Sequence, residues 1–398
     1  MLELLRTAEG EAALAAAGEW RSADPLAAVT ALRGAGFGAE LASAAITQAE
    51  LRARAAAKFG PDADLMFFTR AGLEQATRAV VARRRAQRLA AAGVRQVTDL
   101  GCGIGADALA FAREGLRVLA VDADPVTAAT AEANAAVLGL DHLITVRCQD
   151  ATTVDLSNVD AVFCDPARRQ GGGGRRVFNP AAYSPPWSFV AGLPDRVPAT
   201  VLKLAPGIDH GLLPPSAEAE WVSVDGDVVE AAVWAGPLAT VARRATVIRA
   251  EKAHHLTGTG ERVAPVGGIR SYVYDPDGAV VRSHLVAEFA ATVAGELADP
   301  HIAYVFTDSS PSSPIALGQC FAVVEELPFA LKRLRAALRE RGVGRLEIRK
   351  RGVAVEPDRL RRDLRLAGPA GATLILLRVG TTPRALLCQS VTATPPPP

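Results

Sequence analysis

Between residues 95 and 164 short apolar runs alternate with helical stretches, and this alternation restricts the fold more than any other feature of the chain. Residues 96–100, 116–121, 143–148 and 160–164 have strand length, and residues 106–114 and 126–138, between the first three, have helix length. Strand–helix–strand repeats require right-handed crossovers, and so a parallel sheet covered by helices. Residues 200–204 read as a fifth strand. Residues 220–224, 228–234 and 245–249 read as antiparallel strands closing the sheet. The expected class is α/β with a Rossmann-like sheet.

The flanks differ. Residues 1–92 read as a helical region rich in Ala, Leu, Glu and Arg. Its clearest element is a helix over 69–92, capped by Thr69, striped by Leu73, Ala76, Val80 and Val81, and ended by Gly93. Arg83, Arg84, Arg85 and Arg88 crowd its second half, as a solvated face or a phosphate-contacting one. The sheet region is taken as 93–254. Residues 255–318 form a connecting segment, with a turn at 272–278, a helix over 279–297 and a linker-like 308–314. Residues 319–393 form a last module of order β-α-β-α-β-β.

At the end of the first strand stands Val97-Thr-Asp-Leu-Gly-Cys-Gly-Ile-Gly105. Gly101, Gly103 and Gly105 permit a tight turn and close approach of a ligand to the backbone at a helix N-terminus. Asp122 ends the second strand, where a carboxylate accepts ribose hydroxyls, and it suits NAD and S-adenosylmethionine equally. Asp99, two residues before Gly101, repels a pyrophosphate but receives an amino group, and so favours S-adenosylmethionine. Asp150 follows the third strand, positioned for an adenine amino group. Asp165-Pro166-Ala167-Arg168 follows the fourth, at the usual ligand edge of an open α/β sheet.

On these residues, 95–250 resembles a class I S-adenosylmethionine-dependent methyltransferase. The Asp165-Pro166 element resembles the (Asp/Asn/Ser)-Pro-Pro-aromatic motif of enzymes that methylate exocyclic amino groups of bases. That resemblance implies Asp165 and the Pro166 backbone as acceptors from the target amine. Ala167 and Arg168 depart from the motif, which leaves out its stacking ring. An Arg plane can stack on a base, and Phe178, Tyr183 or Trp187 could supply a ring. The loop Arg168-Arg169-Gln170, four glycines, Arg175-Arg176 reads as a cationic strap beside this centre or as an Arg-rich surface loop. Lys203 faces the same cleft or packs along the sheet edge, and His210 is a proton shuttle or plain surface.

The total charge of +1 conceals a segregation: residues 332–365 hold 13 Lys/Arg against 5 Asp/Glu, a local +8. The Glu-Ile-Arg-Lys-Arg-Gly-Val stretch there resembles the THUMP-like domain that some bacterial methyltransferase-fold proteins carry C-terminally. Gly72-Leu-Glu-Gln-Ala-Thr77 and Lys350-Arg-Gly-Val353 extend the resemblance over most of 55–390. It implies structured RNA (tRNA or rRNA) as partner, contacted by Arg168, Arg169, Arg175, Arg176, Arg349, Lys350 and Arg351, with S-adenosyl-L-methionine as cofactor.

Five scattered cysteines without a Cys-x-x-Cys pair and six histidines without a His-x-x-x-His argue against zinc and disulfides. The first twenty residues lack a signal peptide's apolar run, and no 18-residue apolar stretch exists. The expectation is a soluble, cytoplasmic enzyme without metal or membrane partner. Three rivals stay open. One is an NAD-dependent oxidoreductase, and another is an RNA-binding or assembly protein with a non-catalytic cofactor fold. The last is a methyltransferase with a protein or small-molecule acceptor. Oligomeric state is not legible in the sequence.

Overall fold

The computed structural model describes residues 2–20, 24–168, 183–311 and 316–391. The chain divides into two compact units, residues 1–204 with 233–239, and residues 205–232 with 240–398.

The first unit begins with helices α1 (Leu2–Leu5), α2 (Ala8–Gly18), α3 (Pro25–Gly34) and α4 (Ala39–Phe59). Their shared core is mostly alanine, with Ala13, Ala17, Ala28, Ala42 and Ala45 packed around Leu5, Leu32 and Ile46. Small side chains let the helices approach closely. Where one helix was expected over 69–92 there are two, α5 (Arg70–Gln75) and α6 (Ala79–Ala91). Ala76 turns extended (ψ 138°) after α5, and the Nζ of Lys58 takes up the carbonyls of Leu73, Glu74 and Ala76 that a continuing helix would bond. Thr69 caps α5 as expected, accepting from the Gly72 N–H.

Strands β1 (Gln96–Leu100), β2 (Arg117–Asp122), β3 (Ile144–Cys148) and β4 (Ala161–Cys164) follow, with α7 (Ala106–Arg113) and α8 (Pro125–Val137) between the first three. The short β5 (Ala167–Arg168) and β6 (Tyr183–Ser184) pair with each other. After α9 (Trp187–Ala191) and α10 (Leu193–Arg196), β7 (Thr200–Leu204) completes the parallel order β7-β4-β1-β2-β3. This order puts β1 and β4 side by side, so the ends of both open on one place. β1 and β4 are buried along almost their whole length, which is why they read as continuous apolar runs.

The second unit holds β8 (Glu218–Val224), β9 (Asp227–Trp234, its last two residues in the first unit), β10 (Arg243–Arg249) and β11 (Lys252–Gly258), in the order β11-β10-β8-β9. The expected antiparallel closure is corrected here: β10 runs parallel to β8. β8 and β9 are joined by two residues, Asp225 and Gly226, both at positive φ. The chain then returns over 235–242 to the other side of β8, which reverses its direction once more. β11, antiparallel to β10, extends the strands into residues expected to be connecting segment.

That segment also contributes β12 (Tyr272–Pro276), β13 (Glu296–Leu297) and β14 (Val305–Thr307). They join β15 (Gly318–Pro328), β16 (Val343–Arg351), β17 (Ala370–Val379) and β18 (Thr382–Ser390) in one sheet, order β13-β14-β12-β15-β18-β17-β16. The helix expected over 279–297 is two short ones, α11 (Gly278–Arg282) and α12 (Val286–Thr292). Left-handed residues at His284 (φ 61°) and Ala294 (φ 47°) follow them. The terminal β-α-β-α-β-β order holds, with α13 (Leu331–Glu340) and α14 (Pro357–Leu364). Leu334, Leu338, Leu360 and Leu364 pack with Leu374 and Leu376, while Ile375 and Leu377 face the opposite layer with Tyr304 and Phe306. Residues 374–377 are thus buried on both faces.

Candidate functional site

The β1–α7 turn is built by backbone that few side chains tolerate. Gly101, Gly103 and Gly105 stand at φ of 86°, 56° and 90°. A Cβ on Gly101 would lie 2.9 Å from the carbonyl oxygen of Asp165, so the turn and the β4 end are in contact. The carboxylate of Asp122 fastens the turn from β2: its Oδ2 accepts from the Gly103 N–H at 3.0 Å and its Oδ1 from the Asp124 N–H at 2.9 Å. Burial raises the Asp122 pKa, against the pull of those two N–H groups.

Asp99 is fully buried, and neither of its oxygens has a hydrogen-bond partner among the described residues. Burial, with the charges of Asp107 and Asp165, holds its pKa well above the usual carboxylate range. An unpartnered carboxyl of this kind is costly unless something supplies a donor. Asp107 at the start of α7, the charge that most raises the Asp99 pKa, is satisfied. Asp107 accepts from the Thr77 hydroxyl at 2.6 Å and pairs with Arg85. Arg85 is itself buried, its guanidinium 4.6 Å from the Phe163 ring centre. Arg88 lies 3.9 Å over the Trp234 ring and donates to the Leu238 carbonyl. Neither arginine forms the solvated or phosphate-contacting face considered for that run.

Asp165 follows β4, its N–H bonded to the Leu100 carbonyl of β1 at 3.2 Å. Its Oδ2 forms an ion pair with Lys203 of β7. Lys203 therefore faces the site. β7 is buried on both faces, with only Lys203 partly open, so alternation along the strand gave no signal for its direction. Asp150 is exposed, and its Oδ1 accepts from the N–H and the hydroxyl of Thr152, both at 2.8 Å, which lowers its pKa.

Asn134 ties the helical region to this turn and Gln48 braces that region internally, two amides that sequence reasoning missed. Asn134 of α8 donates to the carbonyls of Phe67 (3.1 Å) and Ile104 (2.9 Å) and accepts from the Phe67 N–H (2.7 Å). Gln48 of α4 brackets Phe68 in the same way. A Cβ on Gly72 would meet Ile104 Cγ2 at 2.4 Å, so α5 lies directly on the glycine turn. No local pattern announces such long-range amide pairs.

Of the residues expected to contact RNA, Arg169, Arg175 and Arg176 lie outside the described residues, as does Phe178; of Arg168 the backbone is placed in β5. Arg349 and Arg351 both pair with Asp275 of β12 at 2.7 Å, and stack near Phe321 and Tyr304. Lys350 donates to the Val355 carbonyl. Arg349 and Arg351 thus tie β16 to β12 within the second unit, while Lys350 is exposed and its bond is local. Exposed cations of that module lie on α13 and α14 and just beyond α14 (Lys332, Arg333, Arg339, Arg359, Arg361, Arg362 and Arg365), and also at Arg341, Arg345, Lys350 and Arg384.

Comparison with known proteins follows the same division. Residues 97–168 match a model described as a methyltransferase domain, residues 318–390 one described as THUMP domain-like, and residues 1–55 one described as a domain of unknown function. An uncharacterised S-adenosylmethionine-dependent methyltransferase of Mycobacterium tuberculosis is 38% identical over 346 residues, 83% of this chain and 91% of the relative. A 78-residue stretch, 18% of this chain and 17% of the relative, is 38% identical to the 23S rRNA (uracil(1939)-C(5))-methyltransferase RlmD of Shewanella amazonensis. The crystal structure of a "putative methyltransferase" from Porphyromonas gingivalis superposes with a TM-score of 0.74 at 22% identity, covering 96% of this chain and 98% of that one. The chain belongs to the class I S-adenosylmethionine-dependent methyltransferases and carries a C-terminal THUMP-like domain.

Proposed function

We propose that this enzyme methylates an exocyclic base nitrogen in structured RNA. The observation that carries the reading is the contact between the cofactor turn and the acceptor acid, Gly101 against the carbonyl of Asp165.

The site fits the cofactor: Asp99 offers two buried oxygens without donors, and an ammonium group is a donor. S-adenosylmethionine supplies an electrophilic methyl group. The chain's own residues then do the rest. Gly101, Gly103 and Gly105 open the backbone to the ligand, Asp99 holds its amino end, Asp122 its ribose and Asp150 its adenine edge. Lys203 fixes Oδ2 of Asp165, which leaves Oδ1 and the Pro166 backbone carbonyl to accept from the target amine. Accepting from both N–H groups orients the nitrogen lone pair toward the methyl donor, and catalysis is mostly positioning. The acceptor class rests on the THUMP-like module with its +8 stretch and on the short likeness to an rRNA methyltransferase. The exposed cations of α13, α14 and Arg365 supply phosphate contacts. Arg168 and the arginines of 169–176 add contacts at the acceptor, and localisation is cytoplasmic on this reading.

The test is transfer of labelled methyl from S-adenosylmethionine to total RNA of a strain lacking the gene, with Asp165→Ala as control. Label lost in the variant supports the reading. Cofactor binding without label in RNA favours a non-catalytic RNA-binding protein or another acceptor, and the missing ring at Ala167-Arg168 is the feature that favours those.

A further inference from the structure

Within the second unit three rings form a continuous stack that the catalytic reading does not use. The His210 ring lies 4.7 Å from the Trp221 ring at 16°, and 3.9 Å from the His284 ring at 8°. Trp221 is the buried base of the stack, its indole N–H bonded to the Pro206 carbonyl at 3.0 Å. His284 is the outer ring: it is exposed, and no further ring stacks on it among the described residues.

The backbone holds this outer ring at a cost. His284 sits in the left-handed region at φ 61°, between buried Ser283 and buried Leu285, a position that favours glycine. A residue held there by its surroundings, with an aromatic ring turned to solvent, is more than filler. Two cations flank the stack. Arg243 lies 5.9 Å from the Trp221 ring centre, and Arg282, exposed, donates to the same Pro206 carbonyl. Nδ1 of His210 is buried and has no partner among the described residues. Burial lowers the His210 pKa to about 4 and also lowers that of His284, which favours uncharged rings at neutral pH.

We infer that the Trp221–His210–His284 stack is a platform for one unstacked nucleobase of the RNA, with Arg243 and Arg282 beside it for the phosphate. A flat ring backed by two others is a stacking surface for any base, and neighbouring guanidinium groups suit its backbone. The choice of ligand rests on the RNA reading above; the stacking surface does not.

The test uses the full chain and a short fluorescein-labelled oligoadenylate, read by anisotropy, beside thermal unfolding. His284→Gly removes the ring and suits the left-handed backbone, so its Tm does not fall. Its oligonucleotide affinity drops roughly fivefold to a hundredfold, the range for one lost base–aromatic stack. His284→Asn, also tolerant of that backbone, behaves the same, and His284→Tyr retains binding. In parallel, adenosine monophosphate shifts the Cε1–H resonance of His284 upfield by ring current. Wild-type binding that survives unchanged in both ring-less variants overturns the platform and leaves the RNA reading standing. The upfield shift without methyl transfer to any RNA keeps the platform and sinks the RNA-methylation reading.

Discussion

Replacing Asp99 by asparagine is predicted to weaken the cofactor and strengthen the fold. The carboxyl is fully buried with both oxygens unpartnered, and its pKa is raised well above 3.8 by burial first and by Asp107 and Asp165 next. In the window between the unfolded-state pKa and the raised folded one, the native state keeps a proton that the unfolded chain has lost. Stability then falls as pH rises, at about 1.4 kcal/mol per pH unit for this one group, until the folded pKa is reached. Asparagine does not titrate, so the difference in unfolding free energy between variant and wild type grows with pH across that window. Urea unfolding at half-unit steps from pH 4 upward measures it. Cofactor binding moves the other way. Losing a hydrogen bond between charged groups costs about 1.5–3 kcal/mol, roughly a ten- to hundredfold rise in Kd by titration calorimetry. Wild-type affinity also rises with pH where Asp99 must release its proton, and the variant's does not through this group. Parallel stability curves for the two proteins, or a Kd within twofold, would refute the reasoning.

Three further outcomes follow from the packing. Asp107→Ala takes from the buried Arg85 guanidinium and the Thr77 hydroxyl the carboxylate they share, at a cost of about 3–5 kcal/mol, whereas Arg85→Met with Asp107→Leu recovers most of it; a double-mutant cycle in urea reads both. Gly72→Ala drives a methyl into Ile104 Cγ2 and the Thr69 hydroxyl, costs about 1–3 kcal/mol and raises KM for the cofactor, as urea unfolding and steady-state kinetics would read. Asp275→Ala leaves Arg349 and Arg351 without their shared carboxylate and costs about 3 kcal/mol or more; thermal unfolding showing no change in Tm would contradict the internal role assigned to those arginines.

The strands and helices of 96–138 were legible because each is dictated locally. Period, capping by Asp124 at α8 and the glycine run each point to the same answer. The four acids could likewise be ordered along the sheet edge from their places after successive strands. Arg85 could not be read: four arginines within six residues look alike in sequence, and only the position of Asp107 and Phe163 makes one of them interior. Residues 272–278 were read as a turn because Asp-Pro-Asp-Gly is turn chemistry. That chemistry instead serves as the N-cap of α11, with Asp277 accepting from Ala279, and closes a strand.

The sequence by itself determined the parallel βαβ core, the left-handed turn that only glycine tolerates, and the succession of acids at the strand ends, since all of these depend on neighbours in the chain. Tertiary structure decided which polar groups are paired and which are left waiting. It brought Lys203 to Asp165 across thirty-eight residues, gave Asp275 to Arg349 and Arg351, and gave the oxygens of Asp99 no partner among the described residues. It also stacked His210 between Trp221 and His284. Pairing over such distances depends on where the backbone closes in space, and local residue preferences carry no record of that.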